Sequence, residues 1–139
     1  SIYTRLQAAK SAISLFLQYP LTGVGLNNFM ARSGTDLYVQ LVAHNSYLEI
    51  LAGVGVFGFI AWMSIILSSV RGCCKGMRHR WDAKDDWLKS LSFYMLLSLI
   101  SSLMNNMFIS GEFAYFLWTP LAGGLVAGNL TRRSGPQQP

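Results

Sequence analysis

Charge is what this sequence has least of. Only 12% of its 139 residues are Asp, Glu, Lys or Arg, against about 25% in an ordinary soluble domain, and a surface so poor in charge is expected to face lipid. The two cysteines, Cys73 and Cys74, are adjacent. Sequence neighbours rarely bridge each other and offer no metal-ligand spacing, so both are expected to be unpaired thiols on the reducing side. Paired aspartates and Cys/His clusters are missing, which argues against a metal site; no cofactor is expected. A Gly-x-Ser-x-Gly elbow is missing too, which removes that hydrolase arrangement. There is no internal repeat. The only low-complexity stretch is the polar tail Ser134–Pro139. The chain opens on Ser1, without a basic region, short apolar stretch and cleavage site, so no signal peptide is read. The expectation is the C-terminal part of a larger protein.

Long uncharged runs are what the sequence has instead. Ile50–Val70, Ser90–Gly111 and Phe113–Thr131 carry no charge, and each approaches the ~20 residues needed to cross about 30 Å of hydrocarbon. The expected fold is an all-α membrane protein. An extracytoplasmic amphipathic helix and loop over residues 1–49 precede about three transmembrane helices, at 50–70, 90–111 and 113–131. A basic cytoplasmic loop fills 71–89, and a cytoplasmic tail fills 132–139. Pro120 should bend or break the last span, so a re-entrant hairpin turning near Gly111-Glu112 is the alternative for the last two. Asn105 and Asn106 sit where polar side chains face other helices or a water-filled cavity.

The net charge of +5 is unevenly placed. Six of the eleven basic residues fall between Arg71 and Lys89, beside Asp82, Asp85 and Asp86, and two more are Arg132 and Arg133. This pattern orients a protein in a membrane, whereas a nucleic-acid surface would interleave basic and aromatic residues; no nucleic-acid partner is expected. Both basic groups belong on the cytoplasmic face, so an even number of crossings separates them and residues 1–49 lie outside.

Ile2, Leu6, Ala9, Ile13, Phe16 and Leu17 recur at helical spacing, with Gln7, Lys10, Ser11, Ser14 and Gln18 on the other side. The spacing predicts a helix lying along the membrane surface, its apolar side packed on the spans. Arg5 falls at the edge of that apolar side, able to lay its stem on it and present its head at the interface. Pro20 ends the helix and Gly23-Val24-Gly25 is expected to make a flexible turn. Asn28–Val42 reads as irregular or short-helical loop. Ser46 and Glu49 have the spacing of a capping box. His44 would then stand just before a helix N-terminus, whose unpaired amides and dipole favour an anionic group. The plainer reading of this segment is an ordinary cap with an interfacial histidine. Within the outer segment Arg5, Lys10, Arg32 and His44 face only Asp36 and Glu49. That balance suits a phosphate-bearing lipid head group.

Three pieces stand in order: Arg5; then Tyr19-Pro20-Leu21-Thr22-Gly23-Val24-Gly25-Leu26-Asn27-Asn28-Phe29; then His44-Asn45-Ser46-Tyr47-Leu48-Glu49, running into the glycine-rich Ile50–Gly58. Together they resemble the O-antigen ligase and polymerase family of bacterial inner-membrane glycosyltransferases. The resemblance covers residues 5 to about 70. It implies transfer of a glycan from a polyprenyl diphosphate carrier to an acceptor hydroxyl at the outer face of the membrane, with inversion and without metal or nucleotide sugar. The acceptor would be lipid A-core, growing polysaccharide or protein. By position, Arg5 and His44 are the implied catalytic residues, His44 as general base or as diphosphate ligand. Arg5, Arg32, Asn45 and Glu49 are the expected substrate-binding residues. A further arginine is implied upstream. The competing reading is a non-enzymatic membrane module such as part of a transporter, with Asn105, Asn106 and Pro120 lining a pathway. A structural anchor is a third, on the helix-packing spacing of Gly124 and Gly128.

Overall fold

A computed structural model describes residues 2–26, 28–33, 45–81, 85–108 and 115–133. All five elements among them are helices: α1 (Ile2–Gln18), α2 (Phe29–Ser33), α3 (Ser46–Arg78), α4 (Trp87–Asn105) and α5 (Tyr115–Arg133). The chain forms two compact units. One holds Ser1–Met63 and Met104–Glu112, the other Ser64–Leu103 and Phe113–Pro139. Helices α3 and α4 are long and apolar enough to cross a membrane, and only 33% and 17% of their most apolar stretches is buried. The core helix of a soluble protein would hide far more of that surface. The less apolar α5 does not meet the same measure. The Gly111-Glu112 turn expected before α5, like the tail 134–139, lies outside the described residues.

Helix α1 forms where the spacing placed it, but the side that packs inward is not the large apolar one. Ala8, Ala12 and Leu15 are buried, while Ile2, Leu6, Ile13 and Leu17 are exposed, Ile2 at 87% and Leu17 at 71%. At about 100° per residue the two groups stand roughly 140° apart around the helix. The expectation that the large apolar side packs inward is therefore corrected. Small residues let the α1 backbone come close to Phe29, Ala52, Val24 and Leu48, and the larger apolar side chains point away from the protein. That arrangement suits a helix whose other neighbour is lipid, because hydrocarbon tails are as apolar as leucine and large side chains gain nothing by turning inward.

The uninterrupted first span is also corrected. Gly55 leaves the helical conformation at φ 67° and ψ −170°, a region open essentially to glycine alone. The chain folds back there. Tyr47 and Trp62 meet edge to face with ring centroids 5.5 Å apart, although 15 residues of straight helix would hold them about 22 Å apart. So α3 is a short leading piece, residues 46–54, followed by a long piece, residues 56–78. The long piece has about 23 residues and a length of roughly 34 Å, close to the ~30 Å of a bilayer core.

In the second unit α3 and α5 lie side by side and run in the same direction. Ser69 Oγ donates to the carbonyl of Leu121 at 2.9 Å, and more weakly to that of Pro120 at 3.4 Å. A Cβ on Gly128 would come within 3.0 Å of Gly72 Cα, and one on Gly124 within 2.6 Å of the Ser69 carbonyl oxygen. The Gly124/Gly128 spacing is thus a used packing surface. Cys73 is buried and Cys74 half-buried, and both are free thiols.

Candidate functional site

Pro20–Gly25 is not a flexible turn; it clasps the break in α3. Breaking a helix frees carbonyls on one side and amides on the other. The Ala52 and Gly53 carbonyls accept the amides of Val24 and Gly25 at 3.0 and 2.8 Å, and the Val56 amide donates to the Pro20 carbonyl at 2.8 Å. The loop caps the end of one helical piece and the start of the next. Two glycines make this approach possible. A Cβ on Gly23, itself at φ 67°, would lie 2.6 Å from the Ala52 oxygen, and one on Gly55 would lie 2.6 Å from the Thr22 nitrogen. The Gly23 amide donates to the Tyr19 carbonyl at 3.0 Å and those of Val24 and Gly25 to α3, so the Gly23-Val24-Gly25 loop does not cradle a phosphate. Asn28 fastens the loop's far end, donating from its side chain to the Val24 carbonyl at 3.2 Å and accepting the Arg32 amide at 3.0 Å.

At the start of α3 the cap is Asn45, not Ser46. Asn45 Oδ1 accepts the amides of Tyr47 and Leu48 at 3.1 and 3.2 Å. The Ser46 amide, which a Ser46/Glu49 capping box would have tied to Glu49, donates instead to the Asn106 carbonyl at 2.9 Å. Asn45 also reaches the turn after α4, its Nδ2 donating to the Met107 carbonyl at 3.3 Å. The first three amides of α3 are thus satisfied within the protein. This corrects the expectation of unpaired amides awaiting an anion and leaves negative charge to be met by side chains.

Those side chains are only partly placed. Arg5 is exposed on α1, beside the buried Ala8–Ala12 face, and none of the described residues gives it a hydrogen bond or an ion pair. Arg32 is exposed at the end of α2, its guanidinium 5.8 Å from the centroid of the Tyr19 ring, a distance at which a cation is held by the ring's electron-rich face. Glu49 is half-buried in the first turn of α3. His44 lies outside the described residues, directly before Asn45. Sequence reasoning did not foresee the Tyr47–Trp62 ring pair, and it marked Asn106 as a polar residue facing other helices without giving its degree of burial. The side chain of Asn106 is wholly buried with neither Oδ1 nor Nδ2 hydrogen-bonded, an arrangement that costs about 1–3 kcal/mol. The signal was there, as an asparagine pair interrupting an apolar run. No cluster of His, Cys, Asp or Glu able to hold a metal occurs among the described residues.

These features define a class: a protein whose described residues are all-helical in their regular elements, with two helices suited to a bilayer, and with the loop clasp, the capped helix start and the exposed Arg5 in the unit that contains α1 and α2. Residues 1–63 match the family model of O-antigen ligase. The matched stretch ends at Met63, where the leading segment of the first compact unit also ends. The family is membrane-bound and is associated with lipid-linked glycans. No curated protein and no solved structure matches the chain significantly.

Proposed function

We propose that the chain takes part in transferring a glycan from a polyprenyl diphosphate carrier to an acceptor hydroxyl at the outer face of the bacterial inner membrane. The observation that carries this reading is the O-antigen ligase match over residues 1–63, the segment holding the glycine clasp and the Asn45 cap. The acceptor oxygen attacks the anomeric carbon, the bond from that carbon to the diphosphate breaks, and the acceptor's proton leaves. His44 takes that proton, since an imidazole with a reference pKa of about 6.5 can do so near neutral pH; binding the diphosphate is its alternative role. Arg5 neutralises the charge growing on the leaving diphosphate, a task for which a planar, permanently charged guanidinium is suited.

Arg32 and Glu49 contact the substrate. Asn45 acts beside them by fixing the backbone next to His44, and Asn106 supplies a buried amide close to the same helix start. The long piece of α3, α4 and α5 cross the membrane, with the Arg71–Lys89 block and Arg132–Arg133 on the cytoplasmic side. For α5 the re-entrant arrangement is the alternative.

Glycan transfer measured per molecule of inserted protein tests the assignment. His44→Ala should lower it by about 10²- to 10⁴-fold, and Arg5→Ala by about 10²- to 10³-fold. Arg5→Lys should recover only part, because an ammonium lacks the planar fork. Near-normal specific activity in His44→Ala would overturn the catalytic role. Reporters fused near Ser33 and Lys75 should lie on opposite sides of the membrane.

A further inference from the structure

A second polar feature lies away from the glycan-transfer residues, at the C-terminal ends of α3 and α5. A cavity of about 330 Å³ opens there. Arg71 and Lys75, one turn apart on α3, and Arg132 on α5 line it together with Asn129. All three cations are exposed, and no carboxylate among the described residues pairs with any of them. The cavity exists because Gly72 and Gly128, where the two backbones touch, have no side chains to fill it. Three positive charges around one concavity, with no carboxylate of the described residues paired to them, favour the entry of an anion.

We propose that this pocket binds the phosphate-bearing head group of an anionic phospholipid. The shared chemistry is a phosphate group, and position favours a lipid over a soluble ion. Between Gly55 and Arg71 the uncharged part of α3 has about 15 residues, roughly 22 Å of helix, which is short of the ~30 Å hydrocarbon core. Arg71 is the first charge after that run, so it stands where the apolar stretch ends, and its long side chain can extend toward lipid phosphates. Leu125 lines the same pocket and is 39% exposed, which gives an acyl chain an apolar surface beside the charged one. Basic pockets between membrane helices take anionic head groups for these reasons. The proposal does not depend on the glycan-transfer reading, and its test uses no transfer assay.

Native mass spectrometry of the full chain, released from mixed-lipid nanodiscs, counts the lipids that stay bound. The wild type should retain one phosphatidylglycerol in preference to phosphatidylcholine. Each cation removed should weaken retention about fivefold, so Arg71→Gln/Lys75→Gln should weaken it roughly 25-fold. The pair Arg78→Gln/Arg80→Gln removes the same charge outside the pocket and should leave retention unchanged. If Arg71→Gln/Lys75→Gln fails to fold, Arg132→Gln alone should show a loss of about fivefold, and unchanged retention there overturns the site. Equal retention of phosphatidylcholine, or an equal loss in the Arg78/Arg80 pair, also overturns it. Displacement of the lipid by inorganic phosphate at equal concentration would assign the pocket to a soluble anion instead.

Discussion

Around Gly55 glycine lets a helix stop; around Gly72, Gly124 and Gly128 it lets two helices run on and touch. In the first unit the backbone needs a conformation that only glycine adopts, and the freed carbonyls and amide are taken up by Pro20–Gly25. In the second, the glycines sit in regular helix and serve only to bring α3 and α5 together. The first use fixes one arrangement of hydrogen bonds. The second fixes a distance, and a distance can relax by a small slide of one helix on another.

Substitutions should separate the two uses. The largest effect is expected from Gly55→Val, which forces a β-branched residue into positive φ and drives its Cβ at Leu21 and Thr22. The expected loss exceeds about 3 kcal/mol, seen as a collapse of the folded fraction in a thermal melt in detergent. A wild-type melt would show that α3 does not break where described. Gly76→Ala should cost less, about 1–2 kcal/mol, because its new methyl group meets the side chain of Ser92. Adding Ser92→Ala should recover most of that loss, whereas no neighbouring change should rescue Gly55→Val. Absence of recovery would mean that the second unit is as rigid as the first.

Asn45→Ala removes the cap and the tie to Met107 together. It should lower stability by about 1 kcal/mol and lower glycan transfer per inserted molecule, while Asn45→Asp keeps the cap and should be milder in the melt. Identical melts for the two would show that the cap contributes little. The smallest effect is expected from Leu17→Gln. With that side chain 71% exposed, the unfolding midpoint in detergent should hold within about 0.5 kcal/mol, while binding of the α1 segment to vesicles weakens. A large fall in the midpoint would return the apolar side of α1 to the interior.

Several elements were legible in the sequence because they depend on local pattern. Helix α1 and the two most apolar helices follow from spacing and run length, and the family from the order of three short motifs. The inward face of α1 was not legible, because a hydrophobic pattern marks the apolar side without saying whether protein or lipid covers it. Ser46 and Asn45 are both good cap residues, and Glu49 tipped the reading toward Ser46. The choice was made by the Asn106 carbonyl, a tertiary contact that no local pattern carries. At Gly55 the apolar run continues unbroken through the bend, so periodicity gave no warning. Of the candidate site, Arg5 and Arg32 are exposed cations, and His44 lies outside the described residues.

The bonds that tie Asn45 and Ser46 to the turn after α4 also set an order of events during synthesis. The clasp of Pro20–Gly25 on α3 can close as soon as residue 56 has emerged. The Asn45–Met107 bond spans 62 residues, and its acceptor leaves the ribosome only after the whole of α4. Until then the Ser46 amide lacks its Asn106 partner, and of these contacts only the local Asn45 cap supports the start of α3. A growing chain therefore carries α1 and its clasp well before the start of α3 is locked. Chains stopped short of Asn106 should bind the membrane and form the clasp, yet leave that helix start frayed, as amide exchange at Ser46 would report.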